Sequence, residues 1–274
     1  MKKMKLPEPI SGGIILSYKC TAECRYCMYA CSPKWSGDWI SEEDLEKILS
    51  QLAGKIKPSP YGPKKVSLNY GLHFTGGEPF LNFELLLRAT EIANELNIPS
   101  TFVETNCYWC INERLTREKL QLLKEKGLKG ILISVNPFYL EYVPFERTER
   151  GIKISQEIFG KNLMIYQLLR NWHNHFDNYG NYLPGYCGGI SLGDCRNLNE
   201  LLKDGLDLER KPVLKFLINE DFKGLFHFAK DFGYQELREG YVSKCHLCID
   251  IRKYLLGRGE FDELKPKEFY SHLE

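Results

Sequence analysis

What this sequence has little of narrows its roles first. It carries almost no excess of either charge: 37 Lys and Arg stand against 36 Asp and Glu, a formal net charge of +1. Without a strong global field, a nucleic-acid partner is disfavoured, although a local basic patch is still allowed. Long apolar runs are missing too. Gly13-Ile14-Ile15-Leu16 is far too short to cross a bilayer, so no membrane partner is expected. The charged, proline-bearing stretch from Met1 to Pro9 is followed by no apolar signal core, and the expected location is the cytoplasm. There is no internal repeat and no low-complexity segment. What remains is ordinary: 43% hydrophobic and 27% charged residues, enough for a sizeable core over 274 residues.

Cysteine is the exception. Ten are present, and they are grouped: Cys20, Cys24, Cys27 and Cys31; Cys107 and Cys110; Cys187 and Cys195; Cys245 and Cys248. In a cytosolic chain such grouping favours metal sites over disulfides.

Strand and helix patterns alternate along the first part of the chain. Residues 12–19 form an apolar run that ends at Cys20, and 20–39 read as a loop. Ser41, followed by Glu42, Glu43 and Asp44, is a helix start, and Leu45, Ile48, Leu49 and Leu52 give that helix one apolar face. After the breaker cluster 58–63, strands are expected near 72–75, 101–105, 130–135 and 163–168. Helices are expected at 85–96, 115–126 (closed by Gly127) and 149–159. This alternation predicts parallel strands with helical crossovers: an α/β fold with a partial parallel (β/α)6 TIM-like barrel over residues 1–170. Chemistry in such barrels sits at the C-terminal ends of the strands. From 171 to 274 the pattern changes to a small cysteine-containing module. Its stretch 171–189 is aperiodic, and helices are expected near 198–203, 221–232 and 245–256.

The segment Cys20-Thr21-Ala22-Glu23-Cys24-Arg25-Tyr26-Cys27 puts three thiols within eight residues of a loop after a strand. A four-iron cluster usually takes four cysteines, so three would leave one iron open to a small molecule. The alternative is a structural zinc site with Cys31 as fourth ligand. A glycine pair follows the second strand, in Thr75-Gly76-Gly77-Glu78-Pro79.

These two motifs, CxxxCxxC and then GGEP, in that order and on those elements, resemble the radical SAM superfamily. The resemblance covers residues 10–170 well and the rest only in outline. It implies that Cys20, Cys24 and Cys27 hold a [4Fe–4S] cluster whose fourth iron binds S-adenosylmethionine (SAM). Gly76, Gly77 and Glu78 would bind the SAM amino group through backbone and carboxylate, and Tyr26 would lie near the adenine. Glu104 and Asn106, at the end of the third strand, and Ser134, at the end of the fourth, would touch SAM, with Asn136 placed similarly. Cys31 would be a buried thiol beside the site rather than a ligand. The implied reaction is reductive cleavage of SAM to a 5′-deoxyadenosyl radical, which takes hydrogen from a substrate. An electron donor such as a flavodoxin or ferredoxin would supply the electron.

The last cysteines are harder to assign. Cys245-His246-Leu247-Cys248 resembles a pair of metal ligands. Together with Cys187 and Cys195 it resembles, in outline alone, the SPASM or Twitch modules, which hold auxiliary clusters. The cysteine usual before the glycine turn is missing, and His173 and His175 occupy that stretch. A second [4Fe–4S] cluster, a zinc site or free thiols all remain open. Cys107 and Cys110 are expected to be buried thiols, with a redox role open. His73, alternating with Leu72 and Phe74, could face the barrel interior, where a hydrogen-bonded core histidine is expected. Three functions compete: a radical SAM enzyme on a peptide or protein, the same chemistry on a small metabolite or nucleoside, and a non-enzymatic metal-binding or redox-sensing barrel.

Overall fold

The computed structural model describes residues 3–25, 27–166, 174–185 and 187–273. Its strands are β1 (Ser11–Ile15), β2 (Gly71–Thr75), β3 (Phe102–Thr105), β4 (Gly130–Ser134), β5 (Leu163–Tyr166), β6 (Asn174–Phe176), β7 (Asn181–Leu183) and β8 (Gly193–Asp194). Between the first five run α1 (Glu42–Leu52), α2 (Phe83–Glu95), α3 (Glu113–Glu125), α4 (Pro137–Leu140) and α5 (Phe145–Phe159). After β8 come α6 (Leu198–Asp204), α7 (Pro212–Ile218), α8 (Phe222–Asp231), α9 (Lys244–Leu256) and α10 (Lys267–Ser271).

Local chemistry explains the boundaries. Ser41 caps α1 by accepting from the Asp44 amide at 3.1 Å, as the sequence suggests. Asn112 caps α3 through the Leu115 amide at 2.8 Å. Gly127, with φ of 108°, closes the turn that follows α3.

The strands form one sheet in the order β5-β4-β3-β2-β1-β6-β7-β8. β1 to β5 pair in parallel, and β6 also runs parallel to β1. β7 and β8 extend the sheet antiparallel. The result is a mixed α/β fold with a largely parallel sheet in an open, barrel-like arrangement. Six strands are parallel, yet the sixth joins the free side of β1, not β5. β1 can be flanked this way because Gly13 lies in register with both His73 and His175. A Cβ on Gly13 would come within 2.5 Å of the His73 ring and 2.6 Å of the His175 ring. The sheet therefore runs through the expected module boundary at residue 170.

Side-chain alternation divides the sheet's two faces. Ile14, Leu72, Phe74, Val103, Ile131 and Ile133 share the main core with Leu45, Leu86, Leu120 and Ile154 of the helices. Burying each such side chain contributes about 1.5–3 kcal/mol. The opposite face carries Gly13, Ile15, His73, Thr75, Phe102, Glu104, Leu132, Ser134 and His175, and is much more polar. His73 is 1% exposed, in the buried interior position expected for it. Its Nε2 stands 3.9 Å from the Glu104 carboxylate.

Candidate active site

The loop after β1 carries the first three cysteines and is tied shut by its own backbone. The Cys20 amide donates to the Ser32 carbonyl at 3.1 Å, and the Cys27 amide to the Cys24 carbonyl at 3.0 Å. Trp35 locks the far end: its indole donates to the Ala30 carbonyl at 2.8 Å and stacks on Tyr18 and His272. Cys31 is buried behind the three, and its amide donates to the Cys27 sulfur at 3.3 Å. Hydrogen bonding from Cys31 outweighs burial and brings the Cys27 thiol down to about 7. Burial pushes Cys24 up to about 12 and Cys20 higher still. Cys31 itself is raised well above the ordinary thiol range by burial, as Cys20 and Cys24 are, which suits a neutral donor to Cys27.

The glycine pair does something more basic than approach a ligand. At Gly76 φ is 127°, and a Cβ there would lie 2.3 Å from the Ser17 carbonyl oxygen. A Cβ on Gly77 would lie 1.9 Å from that of Lys19. The Gly77 and Glu78 amides donate to these carbonyls at 2.8 and 3.0 Å. The turn after β2 is thereby pressed against the root of the cysteine loop.

Glu78 departs from its expected place. Its side chain is 1% exposed and accepts from the Phe80 amide (3.2 Å), the Thr105 hydroxyl (2.9 Å) and the Asn106 amide (2.9 Å). Those donors hold the turn to the end of β3. Burial lifts the Glu78 carboxyl to about 7 despite them. The carboxylate is engaged within the protein and does not line the cleft.

Glu104 is the carboxylate that does. It accepts from the Thr75 hydroxyl at 3.0 Å and the Ser134 hydroxyl at 2.9 Å. Burial raises it above the usual carboxylate range. Asn106 donates to the Thr21 hydroxyl at 3.1 Å, bracing β3 against the cysteine loop. Asn136 caps α4 by accepting from the Phe138 and Tyr139 amides.

One cleft at the C-terminal ends of β1 to β4 is lined by Cys20, Cys24, Cys27, Gly76, Gly77, Glu104, Asn106, Ser134 and Asn136. Seven of the expected residues thus converge with the two glycines. Tyr26 and His173 lie outside the described residues. Sequence reasoning missed Met28, Tyr29, Tyr139 and Tyr166, which also line the cleft. Tyr29 ties the loop to β6, its hydroxyl 2.7 Å from His175 Nδ1. No spacing rule marks such loop aromatics in a sequence.

The donor set fits a [4Fe–4S] cluster: Cys20, Cys24 and Cys27 stand on one loop that opens into a cleft walled by Met28 and tyrosines, with Cys31 buried beside them on the same lining. Among the described residues no three His, Cys, Asp or Glu side chains converge at the spacing of a single ion. A cluster that binds each cysteine at a separate iron asks for a wider set.

The second cysteine set is divided. Burial raises both Cys187 and Cys248, Arg252 pulls both down, and Cys245 is a neighbour of each. Cys187 and Cys248 thus share Arg252 as a neighbour, while Cys245 is exposed. A different set of groups surrounds Cys195. It is fully buried, and the charged groups that act on it are Asp177, Asp194 and Arg196. Its own amide and carbonyl bond to Gly180 and Gln51, which fixes it in the core over α1. The turn after Cys187 packs on the first cysteine loop: a Cβ on Gly188 would lie 2.2 Å from the Met28 carbonyl oxygen. Cys107 and Cys110 are both fully buried in the main core, as expected.

The sequence model of the radical SAM superfamily matches residues 14–166, and the chain belongs to that superfamily. It is 27% identical over 131 residues to the PqqA peptide cyclase of Rhodopseudomonas palustris, covering 46% of this chain and 28% of that one. The PqqA peptide cyclase of Bradyrhizobium diazoefficiens is 27% identical over 129 residues, with the same coverage of 46% and 28%. The match thus spans less than a third of either relative's length. Among solved structures, BtrN in complex with AdoMet and 2-DOIA aligns with a TM-score of 0.47 and 15% identity, over 74% of this chain and 89% of that one. Native anSMEcpe with bound AdoMet aligns with a TM-score of 0.39 and 19% identity, over 57% and 43%. Membership implies an enzyme, a [4Fe–4S] cluster and SAM. Among the described residues no helix is long and apolar enough to cross a membrane.

Proposed function

We propose that this enzyme abstracts hydrogen from a peptide substrate, with Cys20, Cys24 and Cys27 as ligands of its SAM-binding cluster. The observation that carries the reading is the single cleft shared by those thiols with Gly76, Gly77, Glu104, Asn106 and Ser134. Bound there, cluster and SAM supply a carbon radical, which is the cofactors' own chemistry. The protein's part is to bind and orient. Glu104, fixed by Thr75 and Ser134, offers a carboxylate to the SAM ammonium in the place expected of Glu78. Gly76 and Gly77 present backbone to the cleft. Met28, Tyr29, Tyr139 and Tyr166 wall it and exclude water. A flavodoxin or ferredoxin donates the electron. The peptide assignment draws on the name of the matched relatives, a peptide cyclase. We further read Cys187, Cys245 and Cys248 as ligands of a second cluster in a C-terminal module. The helical spacing of Cys245 and Cys248 on α9 and the packing of the Gly188 turn, next to Cys187, on the first loop support that reading.

The test is anaerobic incubation with SAM and dithionite. Wild type should release 5′-deoxyadenosine, and Cys24→Ala should release none. Product from Cys24→Ala would refute the ligand assignment. Glu104→Gln should weaken SAM binding by about tenfold, roughly one charge-assisted hydrogen bond. Unchanged affinity would remove Glu104 from the site. Mass spectrometry of candidate peptides incubated with enzyme, SAM and reductant tests the substrate class.

A further inference from the structure

Arg252 is an odd residue to find in this core. It is 2% exposed, and a guanidinium cannot shed its proton to escape burial. Its Nη1 donates to the Gly188 carbonyl at 2.9 Å and the Tyr270 hydroxyl at 3.2 Å. Both acceptors are neutral. Its Nε has no hydrogen-bond partner among the described residues. No carboxylate among them forms an ion pair with it. The nearby Asp250 is turned to Tyr234 and Tyr241 instead. A buried charge without compensation is strongly unfavourable.

The surroundings name the missing countercharge. On α9, Cys245, Cys248 and Arg252 follow at helical spacing on one face, with Cys248 one turn before Arg252. The Gly188 carbonyl that anchors Nη1 follows Cys187 directly. So the guanidinium stands beside two sulfurs, Cys187 and Cys248, and shares a hydrogen bond with Cys248, while Cys245 lies one turn further along the same helix face at the surface. Neutral thiols do not offset its charge. Three thiolates on an oxidised four-iron core carry a net negative charge, and reduction adds another.

We propose that Arg252 is the built-in countercharge of an iron–sulfur cluster held by Cys187, Cys245 and Cys248, and that it raises that cluster's reduction potential. This rests on the reading of those thiols as cluster ligands. Arg252 acts through the cluster's charge and is a positioning residue, not a catalytic one. It stabilises the reduced form more than the oxidised one, because the reduced form is more negative.

The experiment uses the full chain with Cys20, Cys24 and Cys27 all changed to Ala, so that only the C-terminal set can hold a cluster. After anaerobic reconstitution with iron and sulfide it should hold about four irons. An iron-free or zinc-loaded chain overturns the cluster reading, and the countercharge with it. Given iron, a redox titration followed by EPR decides the role of Arg252. Arg252→Gln keeps hydrogen-bond donors but loses the charge, and its midpoint should fall below the parent's. Arg252→Lys should stay closer to the parent. A Gln variant with full iron and the parent's midpoint overturns the proposal while leaving the cluster reading intact. Thermal melting of the metal-free forms gives a second readout. Arg252→Gln should melt no lower than its metal-free parent, since it sheds an uncompensated charge. A metal-free Gln variant that fails to fold overturns the proposal, because the guanidinium would then serve the fold itself.

Discussion

Cys20, Cys24 and Cys27 come to their cleft on one loop of eight residues, whereas Cys187 and the pair Cys245 and Cys248 lie on two separate segments of the C-terminal half. The first loop is braced on every side: by Gly76 and Gly77 beneath it, by Asn106 from β3, and by Trp35 at its end. The second set has one firm support, the buried Arg252, and one thiol, Cys245, that is exposed. A ligand set on one loop needs its surroundings shaped to hold that loop. A set gathered from two segments needs the tertiary fold first, and a charge to make its assembly favourable. In the first case the scaffold fixes the site. In the second, on the cluster reading proposed above, the metal would help to fix the scaffold.

This contrast can be broken by substitution. The largest effect should come from Gly77→Ala, whose added carbon meets the Lys19 carbonyl oxygen at 1.9 Å. It should cost about 3 kcal/mol of stability and abolish SAM cleavage, because the cysteine loop must move. Denaturant unfolding and a 5′-deoxyadenosine assay check it. A variant with normal activity would show that the loop is not held by this turn.

Next comes Glu78. The unfolded chain releases the Glu78 proton near 4.5 and the folded chain near 7. Between those values the folded form holds more protons, so stability falls as pH rises through that window, by about 3 kcal/mol. Glu78→Gln should flatten the fall, read as melting temperature from pH 5 to 8. An unchanged slope would mean that the carboxyl titrates normally.

Smaller effects test the second set. Cys195→Ala should lower stability by about 1 kcal/mol as a buried core thiol is truncated, and leave the C-terminal iron unchanged. Loss of that iron would restore Cys195 as a ligand. Cys245→Ser should leave the metal-free protein within about 0.5 kcal/mol of wild type, being exposed, yet lose the C-terminal iron. A large loss of metal-free stability would give Cys245 a packing role.

The legible part of this molecule was whatever repeats or clusters along the chain. The βα alternation up to β5 emerged from apolar periodicity, and the Ser41 cap and the Gly127 turn from local chemistry. The cysteine loop and the glycine pair were visible because their residues are adjacent in sequence. β6, β7 and β8, at two or three residues each, are too short to show a period of two, and their pairing beside β1 is a choice of edge that no local pattern encodes. α7 was missed although α6, of the same length, was expected. Between Glu78 and Glu104 the sequence offered two carboxylates at strand ends. Only the positions of Thr105 and Asn106 reveal that Glu78 is occupied and Glu104 faces the cleft. Cys195 lies close in sequence to Cys187, and folding separates them.

The most direct measurement is EPR of the dithionite-reduced protein with and without SAM, comparing wild type with the Cys20/Cys24/Cys27→Ala variant. Binding of SAM at an open iron of the cleft cluster predicts a signal in wild type that SAM changes, and no SAM-sensitive signal in the variant. A SAM-sensitive signal that survives loss of all three cysteines would contradict the account, because the cluster that binds SAM would then lie elsewhere.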